Sequence, residues 1–190
     1  MQTIHQNELL DQLEEKVDAH LRTAIGQLQN LPQAILLRPA GDGGWSIAQC
    51  LEHLNTYGRF YLPQIERKLA SASPPRSAVS FRSSWLGSYF TRSMDPATSS
   101  RKMKAFKGHI PERDLDAPAV IAEFIQQQET LLKLIRKARQ VDLRAIRIPI
   151  SLTSLIRLKL GDVFQFLVAH DERHLQQAKR NLPQEALSKV

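Results

Sequence analysis

Apolar residues recur at spacings of three and four along four long stretches of the chain, a pattern typical of amphipathic helices. Proline or glycine residues lie between the stretches, which cover residues 4–31, 46–70, 118–140 and 161–180. Helices of this length bury their apolar faces most simply around a common core. We therefore predict an all-α fold, a four-helix bundle with a long crossover between helices 2 and 3. A globin-like array of crossed helices ranks behind it, because long helices favour near-parallel packing.

Local signals place several of the boundaries. Ser46, followed by Gln49 three residues later, fits a capping box at the start of the second helix. Pro118 suits the first turn of the third helix, where its missing N–H leaves no hydrogen bond unmade. A short helix is expected near residues 85–92, inside the crossover. Residues 144–150 alternate apolar and polar side chains, which favours an extended segment.

Length and composition suit one globular domain over residues 1–190. No window approaches the ~18 uninterrupted apolar residues that a membrane-spanning helix needs. The first residues of the chain lack the basic and apolar regions of a secretory signal. Since the single Cys50 cannot form an internal disulfide, we expect a protein of the reducing cytoplasm.

The net charge of +7 is concentrated in the middle of the chain. Between residues 57 and 110, ten lysines and arginines stand against only Glu66 and Asp95. Such a field would attract nucleic acid, a membrane surface or a small anionic molecule alike. Because no nucleic-acid-binding motif accompanies it, we favour a solvated basic surface.

Three histidines carry the most specific chemical signal. His170 and His174 stand four residues apart, so their side chains emerge on one face of the fourth helix, within its apolar stripe. His53 shares the inward face of the second helix with Tyr57. A buried imidazole without a partner loses its hydration uncompensated, and a shared divalent metal ion removes that cost. The alternative is that each is a core histidine, hydrogen-bonded to a carbonyl or a carboxylate.

The segments that contain these histidines carry motifs: residues 44–54 read GWSIAQCLEHL, and residues 160–178 read LGDVFQFLVAHDERHLQQA. They resemble the signatures of the second and last helices of the DinB-like superfamily. The resemblance implies a four-helix bundle in which one histidine of the second helix and two of the last bind a divalent metal. His53, His170 and His174 fill these positions. Superfamily members with assigned roles include low-molecular-weight thiol transferases and isomerases.

Three histidine ligands leave one position of a tetrahedral ion open, as in catalytic metal sites. Our first hypothesis is a metal-dependent enzyme that acts on a small molecule by thiol S-transfer or hydrolysis, with zinc or nickel as the ion. The alternatives are a non-catalytic, stress-related protein whose bundle the metal staples, and a nucleic-acid-binding module that uses the basic segment. The sequence assigns no catalytic residue beyond the ligands.

Further hypotheses concern ligands and partners. An anionic low-molecular-weight thiol would give the basic segment a use, with Arg59 or Arg82 gripping its carboxylate. Apolar residues at Trp85 and Tyr89 would support a homodimer or cap the bundle. Cys50 is interpreted as a small packed hydrophobe rather than a nucleophile.

Overall fold

The computed structural model describes residues 3–74, 80–98 and 105–183. Arg76, Arg101, Lys102 and Lys104 of the basic segment lie outside these ranges. Within the ranges, the elements in chain order are β1 (Ile4–His5), α1 (Gln6–Thr23), α2 (Gln33–Leu36), α3 (Ile47–Ala70), β2 (Ser80–Phe81), α4 (Trp85–Met94), α5 (Ala117–Lys137), β3 (Arg147–Ile150), β4 (Thr153–Lys159) and α6 (Leu160–Lys179). A π-helical turn, Ala24–Leu28, extends α1, and 3-10 turns cover Lys107–His109 and Ala138–Gln140.

Side-chain caps define where the long helices begin. Ser46 Oγ accepts from the backbone N–H of Gln49 at 3.2 Å, and Gln49 Oε1 accepts from the N–H of Ser46 at 3.1 Å. This reciprocal pair is the predicted capping box of α3. Asp116 caps α5 by accepting from the N–H of Ala119, and Pro118 lies in the first turn as predicted.

The long helices α1, α3, α5 and α6 form the predicted bundle. Both α1 and α3 pack against α5 and against α6, so α1 lies diagonally across the core from α3, and α5 lies diagonally across it from α6. The connection from α3 to α5 includes α4, which is the expected short helix and packs on α6. No helix in the described ranges combines the length and apolar character needed to cross a membrane.

A β-hairpin precedes the last helix. Of the predicted extended segment 144–150, residues 147–150 form β3, which pairs antiparallel with β4, whereas Arg144 and Ala145 lie in a turn. The pair Ile148 and Leu158 is buried in this ladder, and β4 leads directly into α6. The sequence analysis missed β4, because its buried positions do not alternate and only the pairing with β3 defines it as a strand.

A layer of buried polar side chains divides the core of the bundle into two apolar clusters. One cluster contains Cys50, Phe124 and Leu175, and the other contains Tyr61 and Phe164. Burying polar groups costs free energy unless they are hydrogen-bonded or bind a ligand, so the layer marks the place to examine for function. Its members on the four long helices are His20 in α1, His53 in α3, Gln128 in α5, and His170 and Asp171 in α6.

Candidate metal centre

The three histidines singled out in the sequence converge between α3 and α6. One ring nitrogen from each of His53, His170 and His174 lies within 4.8 Å of the other two. Nε2 of His53 and Nε2 of His170 are 3.1 Å apart. His53 and His170 are almost fully buried, at 3% and 2% exposure, whereas His174 is half-buried. The cluster can therefore be approached from the side of His174.

Hydrogen bonds determine which ring nitrogen of two histidines is free to bind a ligand. Nδ1 of His53 donates to the backbone carbonyl of His109 at 2.6 Å. Nδ1 of His174 donates to Oε1 of Gln177 at 2.9 Å. A carbonyl oxygen can only accept, so both imidazoles carry their proton on Nδ1 and keep a lone pair on Nε2. Metal-ligating histidines are oriented by bonds of this kind.

The residues fit a divalent ion. Nitrogens about 2.0–2.1 Å from a tetrahedral zinc ion lie about 3.3 Å from one another, close to the 3.1 Å that separates Nε2 of His53 from Nε2 of His170. Nδ1 of His170 is buried and has no hydrogen-bond partner among the described residues. Neutral imidazole nitrogens are suitable ligands for zinc, nickel, iron and copper.

Burial keeps all three imidazoles neutral at neutral pH. Desolvation lowers the pKa of His53 to about 4, although the bond to the carbonyl of His109 opposes the shift. Desolvation, with the positive potential of His53, lowers the pKa of His174 to about 3. The pKa of fully enclosed His170 falls well below its usual value for the same reason. A metal binds only the deprotonated ring nitrogen, so near pH 7 these histidines could bind an ion without first releasing a proton.

The cluster forms part of the wall of a cavity of about 790 Å³. The indole of Trp45 covers two of the histidines, with ring centroids 4.9 Å from His53 and 5.7 Å from His174. Burial raises the pKa of Tyr57, another wall residue, to about 12, so its hydroxyl stays protonated. The volume suits a small molecule.

Sequence reasoning missed several residues around the cluster. His109, set in the connection from α3 to α5, orients His53 through its carbonyl, and its ring stacks on Tyr57 with centroids 4.0 Å apart. Arg173 and Arg180 line the cavity. The connection lacks a periodic pattern, so no signal in the sequence identified His109. Arg173 could have been found from its spacing of three residues from His170, and Arg180 from its spacing of seven residues from Arg173.

The structure contradicts the suggested use of Arg59. Its guanidinium donates to Glu52 and to Glu123, with both bonds 2.7 Å long, on the exposed side of α3. Neither Arg59 nor Arg82 is among the described residues that line the cavity. Those two arginines therefore do not grip a molecule bound at the histidines.

Comparison with known proteins identifies the family. A family model of the DinB superfamily matches residues 12–178. This chain belongs to the DinB superfamily. The match includes both motifs that carried the resemblance and all three clustered histidines.

A solved structure similar to this DinB superfamily member is YfiT from Bacillus subtilis, described as a probable metal-dependent hydrolase with an unusual four-helix bundle topology. The alignment has a TM-score of 0.52 and 17% sequence identity, and it covers 93% of this chain and 85% of YfiT. At this identity the likeness shows the fold alone. A search of curated proteins finds no match.

Proposed function

We propose that this protein binds one divalent metal ion through His53, His170 and His174 and acts as a metalloenzyme on a small molecule. The observation that carries the proposal is the convergence of three neutral imidazoles on the wall of a cavity of about 790 Å³. An ion with three protein ligands beside such a cavity keeps a position for water or substrate. The description of YfiT as a probable metal-dependent hydrolase adds support.

The reaction we propose is thiol S-transfer or hydrolysis, with zinc or nickel as the ion. When bound, the metal would act as a Lewis acid that lowers the pKa of a coordinated water or thiol toward neutrality. The protein orients two of the three rings: Gln177 and the carbonyl of His109 fix the protons of His174 and His53 on Nδ1. Trp45 shields the rings from water on one side, and Tyr57 offers a protonated hydroxyl at the wall.

Elemental analysis tests the metal site. The protein is purified without an affinity metal, incubated with zinc or with nickel, desalted and analysed beside a His170→Ala, His174→Ala double variant. We expect about one equivalent of metal in the wild type and little in the variant. His5→Ala serves as the matched control, because His5 is exposed at the N-terminus of α1 and lies outside the cluster.

Activity assays then distinguish a metalloenzyme from a protein in which the metal only stabilises the bundle. If the metal only staples the bundle, the loaded wild type turns over neither thiol-transfer nor hydrolytic substrates, while chelation still lowers its thermal stability. An enzyme loses turnover in the double variant and recovers it in the wild type when metal is restored after chelation. Wild-type protein that stays metal-free after both incubations would overturn the proposal.

A further inference from the structure

Positive charge borders the histidine cluster along one wall of the cavity. Arg173 and Arg180 lie about two turns apart on α6, and both line the cavity. Arg173 directly precedes His174, and Arg180 follows at the end of the same helix, so both arginines lie beside the histidines of α6. Asp42 is the one acidic side chain among the described residues of the lining.

The two arginines are held differently. Arg173 is half-buried, and its Nη1 lies 3.5 Å from the carbonyl of Ser93 at the end of α4. Arg180 is exposed at the C-terminal end of α6, and its side chain has no hydrogen-bond or ion-pair partner among the described residues. A guanidinium presents a planar fork of donors that matches a carboxylate or a phosphate. The fork of Arg180 is therefore available to a ligand in the cavity.

We propose that the substrate carries an anionic oxygen group, a carboxylate or a phosphate, which Arg180 binds with the support of Arg173. The rest of the molecule then lies along Trp45 toward the histidines. This inference rests on the proposed function, because it names the substrate class of the same cavity.

The charge balance of the cavity favours this assignment. The described lining contains two guanidinium groups, those of Arg173 and Arg180, against one carboxylate, that of Asp42. A divalent ion at the histidines would add to the positive field, and low-dielectric walls focus such a field on a ligand. The aromatic face of Trp45 meanwhile offers a surface for an apolar or planar part of the molecule.

Ligand binding can be tested without knowing the natural substrate. The chain has two tryptophans, and Trp85 is 73% exposed, so a Trp85→Phe background leaves Trp45 as the only indole reporter. Phenylacetate, phenyl phosphate and the neutral phenylacetamide are titrated into metal-free and metal-loaded protein. Trp45 fluorescence reports occupancy of the cavity, and calorimetry gives the Kd.

We expect at least one of the two anions to bind about tenfold or more tightly than phenylacetamide, because only an anion forms charge-assisted hydrogen bonds with the guanidinium. In Arg180→Gln this preference should fall to within about twofold, with the Kd of phenylacetamide unchanged. Arg173→Gln should reduce it less. Arg22→Gln, an exposed change at the end of α1, is the matched control and should keep the full preference.

The outcomes of this experiment distinguish the anionic-substrate inference from the metalloenzyme proposal. Comparison of the anions decides between carboxylate and phosphate. An anion preference in metal-free protein that never loads metal would uphold the arginine site and sink the metalloenzyme. Equal affinity for anions and amide, no binding of any probe, or a preference that survives Arg180→Gln would overturn the anionic-substrate inference, even if the metal site is present.

Discussion

At the scale of single residues, the partner of each second ring nitrogen decides how the histidines can act. His53 is oriented by a backbone carbonyl, which a side-chain substitution does not remove. His174 is oriented by the side chain of Gln177. Gln177 is therefore the position at which the orientation of a candidate ligand can be changed without changing the ligand itself.

Gln177→Leu should weaken metal binding by about 10- to 100-fold, the usual cost of losing a hydrogen bond to a ligating imidazole. The leucine removes the acceptor of the Nδ1 proton of His174. Competition with a fluorescent chelator measures the Kd. Gln176→Leu is the matched control, because the neighbouring amide bonds to Glu172 and should leave metal affinity unchanged. Equal loss in both variants would speak against an orienting role.

The thiol of Cys50 should be inert in the folded protein. Cys50 is fully buried in the core, and burial raises the pKa of its thiol to about 12. Only the thiolate reacts with disulfide reagents, so at pH 8 the folded protein should show almost no labelling. Labelling should reach about one equivalent after denaturation, because the chain has one cysteine. Fast stoichiometric labelling of the native protein would contradict the structure and reopen Cys50 as a nucleophile.

At the scale of elements, α6 connects the site to the rest of the bundle. Its residues face three neighbours: Glu172 pairs with His20 of α1 at 3.0 Å, Asp171 accepts from Gln128 of α5 at 2.9 Å, and His170 faces His53 of α3. Burial raises the pKa of Asp171 to about 6. The polar layer therefore fixes the rotation of α6, on which the direction of its histidines depends.

The start of α6 is held by α4 through a close contact that only glycine permits. Asp162 Oδ2 accepts from the hydroxyl of Ser84 at 2.7 Å, and an added Cβ at Gly87 would lie 2.2 Å from Cγ of the same aspartate. Gly87→Ala should therefore lower the free energy of unfolding by about 1–3 kcal/mol, the range for overpacking. Urea denaturation measures the change. Gly26→Ala, where nothing lies within 4 Å of the added Cβ, should cause no such loss.

At the scale of the whole molecule, the candidate centre joins two long helices that are distant in sequence. An ion bound by α3 and α6 binds the folded chain far better than the unfolded one. Zinc or nickel at 100 times its Kd should therefore stabilise the fold by about 2.7 kcal/mol, which corresponds to a rise in Tm of roughly 5–10 °C. Scanning calorimetry with and without chelator checks this. The His170→Ala, His174→Ala variant should show no metal-dependent shift.

The periodic apolar stripes, the capping residues Ser46 and Gln49, and the spacing of His170 and His174 are local properties of the sequence. For that reason the long helices, the start of α3 and the shared face of two histidines could be predicted. The family followed from motifs within the same helices. These features depend on residues within a few turns of one another, and tertiary packing left them unchanged.

Tertiary structure alone decided what surrounds those helices. The pairing of β4 with β3, the carbonyl of His109 on His53, and the place of Arg180 beside the cavity each join residues far apart in the chain. Arg59 is a further example. The sequence suggested that Arg59 binds a substrate carboxylate, but in the folded protein its guanidinium donates to Glu123 of α5. The local sequence pattern shows which face of a helix is apolar. Which residues contact that face depends on how the helices pack, and this packing determines which side chains line the site.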